Sequence, residues 1–157
     1  MHALKSSNKT IRFRSSQIIG MLVIGMDDID DETFQSMKTS LLKRVFDRES
    51  DVRSNAVIAL SRLQDCGTPE ENLVIHESLL KLLAGDPVND VRKTVLANIE
   101  LNSLTIKGIL ERARDIDVGV RKLVYRKIVA DLPEFDTGYP LEDLVGLLSI
   151  GLNDRYI

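Results

Sequence analysis

The chain has 157 residues, 21 of them basic and 24 acidic, giving a formal charge of −3, and 43% are hydrophobic. That apolar content supports a packed core and excludes global disorder. The mild acidity excludes a strongly basic nucleic-acid-binding module, so any such role must come from local patches. Aromatic residues make up only 4% and tryptophan is absent, so the core must be built from Leu, Ile and Val. A single cysteine rules out an internal disulfide and fits a reducing compartment. No apolar run reaches the ~18 residues a membrane span needs. No cleavable leader is predicted, because His2 and Lys5 are not followed by a hydrophobic region of that kind.

Taken in order, the chain reads as helix after helix. Residues 1–5 resemble the stump of one. Ile11 to Met26 carries a stripe of Ile11, Ser15, Ile18, Ile19 and Leu22 at helical spacing. Asp27 to Glu32 is an acidic turn whose last residues suit the positive end of the next helix. Phe34 to Phe46 should turn Phe34, Met37, Leu41, Leu42 and Val45 inward. Asp47 to Ser50 is a tight turn, with Ser50 or Asp51 expected to cap a helix running to about Leu63. Gln64 to Asn72 is a loop containing Cys66-Gly-Thr-Pro69. Leu73 to Leu83 is helical and ends at Gly85-Asp-Pro87. Asn89 or Asp90 should cap the helix from Val91 to Leu101, and Ser103 should open a short one to Ala113. Val118 to Leu132 is the next helix. Pro133 to Tyr139 is a loop, and Pro140 starts a last helix reaching about Gly151. No segment alternates with the period of a strand. The reading is all-α, with antiparallel helix pairs joined by short turns.

One pattern recurs. Asp47 stands six residues before Arg53, which follows Val52 and precedes Ala56, Val57 and Leu60. Asp86 precedes Val91-Arg92 by the same interval, with Val95, Leu96 and Ile99 after it. Asp115 precedes Val120-Arg121 likewise, followed by Val124, Tyr125 and Ile128. A weaker copy places Ser6 before Ile11-Arg12. Gaps of 41, 39 and 29 residues separate these arginines. Such periods mark a helical solenoid, here of about four repeats. An arginine early in the second helix of a pair lies near the turn holding the Asp. It is placed to bond that Asp or its equivalent in the next repeat, and its planar fork suits a bidentate carboxylate contact. A structural ladder of Asp47, Arg53, Asp86, Arg92, Asp115 and Arg121 is the reading adopted; a ligand gripped by the arginines is the other.

Asp-x5-Arg with an apolar residue before the Arg, inside helix pairs of this length, resembles HEAT repeats. Several longer strings are similar to the HEAT-repeat subunit of condensin of the CAP-G type. They are residues 41–65, Asn89 to Ile99, Ile109-Leu-Glu-Arg-Ala-Arg-Asp115, Val120 to Tyr125 and Gly151-Leu-Asn-Asp-Arg155. Ser6 departs from the pattern. The resemblance implies an internal segment of a longer solenoid, with residues 1–157 forming a single HEAT-repeat unit. It implies a scaffold without a catalytic site, held by the CAP-H-type kleisin subunit of condensin. With that partner it would bind double-stranded DNA independently of sequence during mitotic chromosome condensation. It further implies indirect association with the SMC ATPase pair, no cofactor, no membrane, and residence in the nucleus and on chromosomes with a possible cytoplasmic pool. The rival reading is a HEAT scaffold for proteins only, like a transport receptor or a phosphatase scaffold.

Enzyme motifs are missing: there is no P-loop, Gly-x-Ser-x-Gly, His-Glu-x-x-His or Cys-x-x-Cys. His76 lies at helical spacing among Leu73, Leu79 and Leu80 and reads as a core or boundary residue. Cys66 reads as a spectator thiol. The acidic turn lacks the Gly and terminal Glu of a calcium loop, so no metal site is expected. Basic residues are more informative. Residues 107–127 hold Lys107, Arg112, Arg114, Arg121, Lys122, Arg126 and Lys127 against Glu111, Asp115 and Asp117, and Lys5, Lys9, Arg12 and Arg14 fall in a stretch without acid. Lys93 and Lys122 each follow a ladder arginine, and Arg126 is one turn beyond. Lys93, Lys122 and Arg126 are therefore the candidate DNA-binding residues, neutralising phosphates without reading bases. An ordinary solvated helix face is the alternative.

Overall fold

The computed structural model describes residues 2–25, 29–64, 66–131 and 141–155. Asp27 and Asp28 of the acidic turn, and the loop at 133–139 with Pro140, lie outside them. Among the described residues there are eight α-helices and no strand. They are α1 (Lys9–Ile24), α2 (Asp31–Arg44), α3 (Ser50–Ser61), α4 (Pro69–Gly85), α5 (Asn89–Asn98), α6 (Ile106–Glu111), α7 (Val118–Asp131) and α8 (Leu141–Asn153). Three-ten turns cover Ala3–Lys5 and Arg112–Arg114.

The second helices α1, α3, α5 and α7 stack side by side in one layer. The first helices α2 and α4 lie against α3 and α5, and α6 continues their row beside α4. The core is the seam between the layers. Leu41, Val45, Leu60, Leu63, Ile75, Leu79, Leu83, Leu96 and Ile109 are all inaccessible there. On α2 the structure buries Phe34, Met37, Leu41 and Val45, with Leu42 half-buried. Gly20 lets α1 and α3 approach closely: a Cβ there would lie 3.4 Å from Ala59.

Several local readings need correction. On α1 the buried row is Arg12, Ser16, Ile19, Gly20 and Val23. Ile11, Ile18 and Leu22 are exposed. Val52 and Ala59, which stand at the places of Ile11 and Ile18 relative to the ladder arginine, are buried because α1 lies alongside α3. Neither Ser50 nor Asp51 caps α3, and neither Asn89 nor Asp90 caps α5, because all four lie inside the helices. The ladder aspartates serve the turns instead. Asp47, Asp86 and Asp115 each accept the amide two residues on, at 3.1, 2.9 and 2.9 Å. Helix α5 ends at Asn98, short of Leu101. There Gln64 donates to the Asn98 carbonyl at 3.0 Å and accepts from the Glu100 amide at 3.1 Å, replacing the helical pattern. Ser103 sits in a turn. Asn102 accepts from the Leu104 and Thr105 amides, and α6 starts at Ile106. Helix α4 begins earlier than its apolar run, at Pro69, because Thr68 and Glu71 form a capping box.

The arginines bond forward, to the aspartate of the next repeat. Arg12 grips Asp47 through Nε and Nη2 at 2.8 and 2.9 Å. Arg53 grips Asp86 at 2.7 and 2.9 Å, and Arg92 grips Asp115 at 2.9 and 2.7 Å. Arg121 bonds Asp154 in the same two-pronged way. The remaining nitrogen, Nη1, turns back to the carbonyl six residues earlier: Ser6, Asp47, Asp86 and Asp115 respectively, at 2.8–3.0 Å. That backward bond accounts for the spacing. A residue one turn into a helix leans towards its N-terminus and so reaches the carbonyl of the turn just before it. Arg12, Arg53, Arg92, Asp47, Asp86 and Asp115 are all buried. Burial pushes the Asp47 and Asp115 carboxyls up, but the arginine and amide bonds outweigh it and hold both below the usual carboxylate range.

Two predictions follow from this packing. Arg92→Ala strands the Asp115 carboxylate and the Asp86 carbonyl, so chemical denaturation should show a loss of ~3–5 kcal/mol. Arg92→Lys should recover only part, since a lysine cannot make the paired bonds. The second concerns Glu71. It joins α4 to α2 through Lys38 at 2.6 Å and also accepts from Gln35 and the Thr68 amide. Its carboxyl is held down at about 2 by Lys38 first, then by the Thr68 amide and Gln35. A depressed carboxyl stabilises the fold above its unfolded value and loses that contribution as pH falls. Glu71→Gln should therefore be less stable than the wild type at pH 7. The gap should close between the ordinary glutamate range and pH of about 2, as read from thermal unfolding across a pH series.

Candidate nucleic-acid interface

Lys93, Lys122 and Arg126 all arise from second helices: Lys93 from α5, the other two from α7. Lys122 and Arg126 are exposed, one turn apart on the same face. Neither has an ion-pair partner among the described residues. Lys93 differs. Its Nζ lies 3.1 Å from Asp117 Oδ1 and 3.6 Å from Asp90 Oδ1. Gly119 makes room for it, since a Cβ there would sit 2.7 Å from Lys93 Cε. Asp117 also accepts from Asn89 at 2.5 Å and from the Val120 amide at 2.9 Å. Those bonds, the Asn89 one foremost, hold the Asp117 carboxyl at about 2. Asp117 is thus a firm anion at neutral pH, and it compensates the charge of Lys93.

The rest of the basic run divides between the layers. Lys107, Arg112 and Arg114 stand on α6 and the three-ten turn after it, in the first-helix row. Arg112 lies 3.9 Å from Asp115. Arg121 is spent in the ladder, as are Arg12, Arg53 and Arg92, so none of these four guanidinium groups is presented to a ligand. Near the amino end Lys9 and Arg14 are exposed on α1, with Arg14 5.5 Å from the Phe13 ring and bonded to Gln17. The second-helix face also presents Asp51 and Asp90. Its exposed basic side chains include Lys122 and Arg126 on α7 and Lys9 and Arg14 at the start of α1.

Other candidates resolve as packing. His76 is buried, with Nε2 3.6 Å from Glu100 Oε2. Cys66 is exposed, its Sγ 3.6 Å from the Arg62 carbonyl. Asp30 caps α2 by accepting the Thr33 amide at 2.9 Å, and Asp31 and Glu32 fall in its first turn. Among the described residues no group of three or more metal-binding side chains comes together, and no helix is long and apolar enough to cross a membrane.

The ladder also includes two residues that the sequence reading left aside or ranked as weak. Arg12 makes a full rung. Asp154 closes another, and a signal for it exists: it stands 33 residues after Arg121, as Asp86 stands 33 after Arg53. The Asn89–Asp117 bond has no such signal, since neither residue repeats.

No family model matches the chain. Curated relatives do. The chain is 44% identical over 155 residues to condensin complex subunit 3 of Schizosaccharomyces pombe, covering 99% of this chain and 18% of that protein. It is 32% identical over 166 residues to the same subunit of Saccharomyces cerevisiae, covering 99% and 16%. Against the human subunit it is 32% identical over 154 residues, covering 96% and 15%. Among solved structures it is similar to a chain of the S. pombe condensin Cnd3–Cnd2 subcomplex. The TM-score is 0.86 and the identity 42%, over 98% of this chain and 19% of that one. The chain therefore spans less than a fifth of the length of the relatives it matches. Stacked helix pairs, a bidentate Arg–Asp ladder and this kinship together establish that the chain belongs to the condensin complex subunit 3 family of HEAT-repeat proteins.

Proposed function

We propose that this chain is one HEAT-repeat segment of a condensin scaffold that, with a kleisin subunit, holds double-stranded DNA during mitotic chromosome condensation. The observation that carries the reading is the close structural likeness to a condensin subunit solved in the Cnd3–Cnd2 subcomplex. On this reading Cnd2 stands in the kleisin's place. The scaffold carries no catalytic step of its own, reaches the SMC ATPase pair only indirectly, and acts in the nucleus on chromosomes.

Within the segment, phosphate contacts fall to Lys122 and Arg126, supported by their exposure and their lack of an ion-pair partner among the described residues. Lys93 takes part more weakly, because a phosphate must compete with Asp117 for its ammonium. Such contacts position DNA without reading its sequence. A scaffold for proteins only is the alternative, and duplex binding separates the two.

Two experiments test the proposal. A pulldown by the kleisin's central segment should capture the full-length subunit, and failure to do so would remove the kleisin half. Fluorescence anisotropy of the full subunit–kleisin pair on two unrelated duplexes, across a salt series, tests the DNA half. Lys122→Glu with Arg126→Glu should weaken both duplexes alike and lower the magnitude of the slope of log affinity against log salt by about 0.9 for each lost contact. Lys93→Glu alone should change the slope less. Wild-type affinities and slopes in the double variant would take these residues off the DNA path.

A further inference from the structure

The turns that hold the ladder aspartates differ in the residue just before the aspartate: Phe46, Gly85, Arg114 and Asn153. Between the second and third of these turns Arg112 crosses the gap, its Nη1 donating to the Ala84 carbonyl at 3.3 Å. Between the first and second the gap stays open. It forms a pocket of about 350 Å³ lined by Phe46, Lys81, Gly85 and Pro87, together with the ladder pair Arg53 and Asp86. Phe46 is a large apolar side chain left 47% exposed. Gly85 keeps the space free, since a Cβ there would meet nothing within 4 Å.

The charge that this pocket offers is positive. Lys81 is exposed, its Nζ 5.4 Å from the centre of the Phe46 ring, with no carboxylate partner among the described residues. Glu77, one turn before it on α4, is exposed and makes no ion pair with it. Asp86 is the one acid lining the pocket. It is buried and already accepts two bonds from Arg53 and one from the Val88 amide. Arg48, two residues beyond Phe46, is exposed as well and meets Glu49 only at 3.5 Å.

We propose that this pocket docks a short acidic linear segment of a partner protein. The segment inserts one aromatic or branched apolar side chain beside Phe46 and sets flanking carboxylates against Lys81 and Arg48. One apolar anchor with charged neighbours is enough to hold such a segment. A small molecule would need several polar groups converging on it, and the buried ones here are spent in the ladder. Duplex DNA would use the cations and leave Phe46 without a role. A permanent subunit buries on the order of 2,000 Å² or more, whereas a pocket for one side chain suits a transient partner, so the occupant is a protein other than the kleisin. Lys81 and Gly85 stand on α4 and Phe46 follows α2, in the first-helix row, while Lys122 and Arg126 project from α7. The inference therefore does not rest on DNA binding, and failure of the salt-series experiment leaves it standing.

The test selects phage-displayed random peptides on the full-length subunit and measures the enriched peptides by fluorescence anisotropy. They should share one aromatic or branched apolar residue with acids close by on either side. Gly85→Leu fills the pocket without strain, because its Cβ enters open space, and should weaken these peptides about thirtyfold or more. Lys81→Glu should weaken them about fivefold. Phe46→Ser removes the apolar wall and gives the same reading if Gly85→Leu does not fold. Duplex affinity of the subunit–kleisin pair should stay unchanged in all three variants. No enrichment, or peptides indifferent to Gly85→Leu and Phe46→Ser, would overturn the proposal. So would a loss of duplex affinity in these variants, which would place the pocket on the DNA path. Displacement of the peptides by the kleisin's central segment would overturn it too, by making the kleisin the occupant.

Discussion

Each ladder guanidinium serves two repeats at once. Its Nε and Nη2 edge binds the carboxylate of the following turn, and its Nη1 binds the carbonyl of its own. No other side chain has the donors to do both. The carboxylate is satisfied as fully, since it also accepts the amide that shapes its turn. A buried ion pair is costly unless its hydrogen bonds are complete, and here they are. The consequence is geometric as much as energetic. The guanidinium fixes how far one second helix is displaced from the next, so the stacking of Val52, Val91 and Val120 against their predecessors is set by the rungs.

That arrangement governs what is left for function. Four arginines that look available in the sequence are withdrawn into the ladder. The surface charge of the second-helix layer then depends on the positions beside them, where Lys122 and Arg126 stand out and Lys93 is tied to Asp117. Lys122 and Arg126 stand exposed although the chain's net charge is −3, and several acids are engaged elsewhere. Asp47, Asp86, Asp115 and Asp154 bind arginines, Asp117 holds Asn89 and Lys93, and Glu71 holds Lys38.

Much of this was legible in the amino-acid order. The helix pairs, the Asp-x5-Arg repeat and the all-α class follow from periodicities that survive in any packing. The inward residues of α2 were legible for the same reason. Helix ends were less so. Ser50, Asn89 and Ser103 are ordinary capping residues, yet none caps: Ser50 and Asn89 lie inside their helices, and Ser103 lies in a turn ahead of α6. The end of α5 depends on Gln64, thirty-four residues away from Asn98.

The sequence by itself determined the number and kind of elements, the arginine–aspartate pairing by type, and the absence of the familiar enzyme motifs, since these depend on local spacing alone. Tertiary structure decided which aspartate each arginine binds. Own-turn and next-turn carboxylates are equally compatible with the spacing, and only the stacking of α1, α3, α5 and α7 brings the next one into reach. It decided the exposure of the α1 row: Ile11 and Ile18 are exposed, whereas Val52 and Ala59, at the same places relative to Arg53, are buried where α1 lies alongside α3. It decided that Lys93 is compensated while Lys122 and Arg126 are exposed. The charge of a surface lysine depends on which carboxylate the fold places beside it, and Asp117 comes within 3.1 Å of Lys93 only when α7 packs on α5.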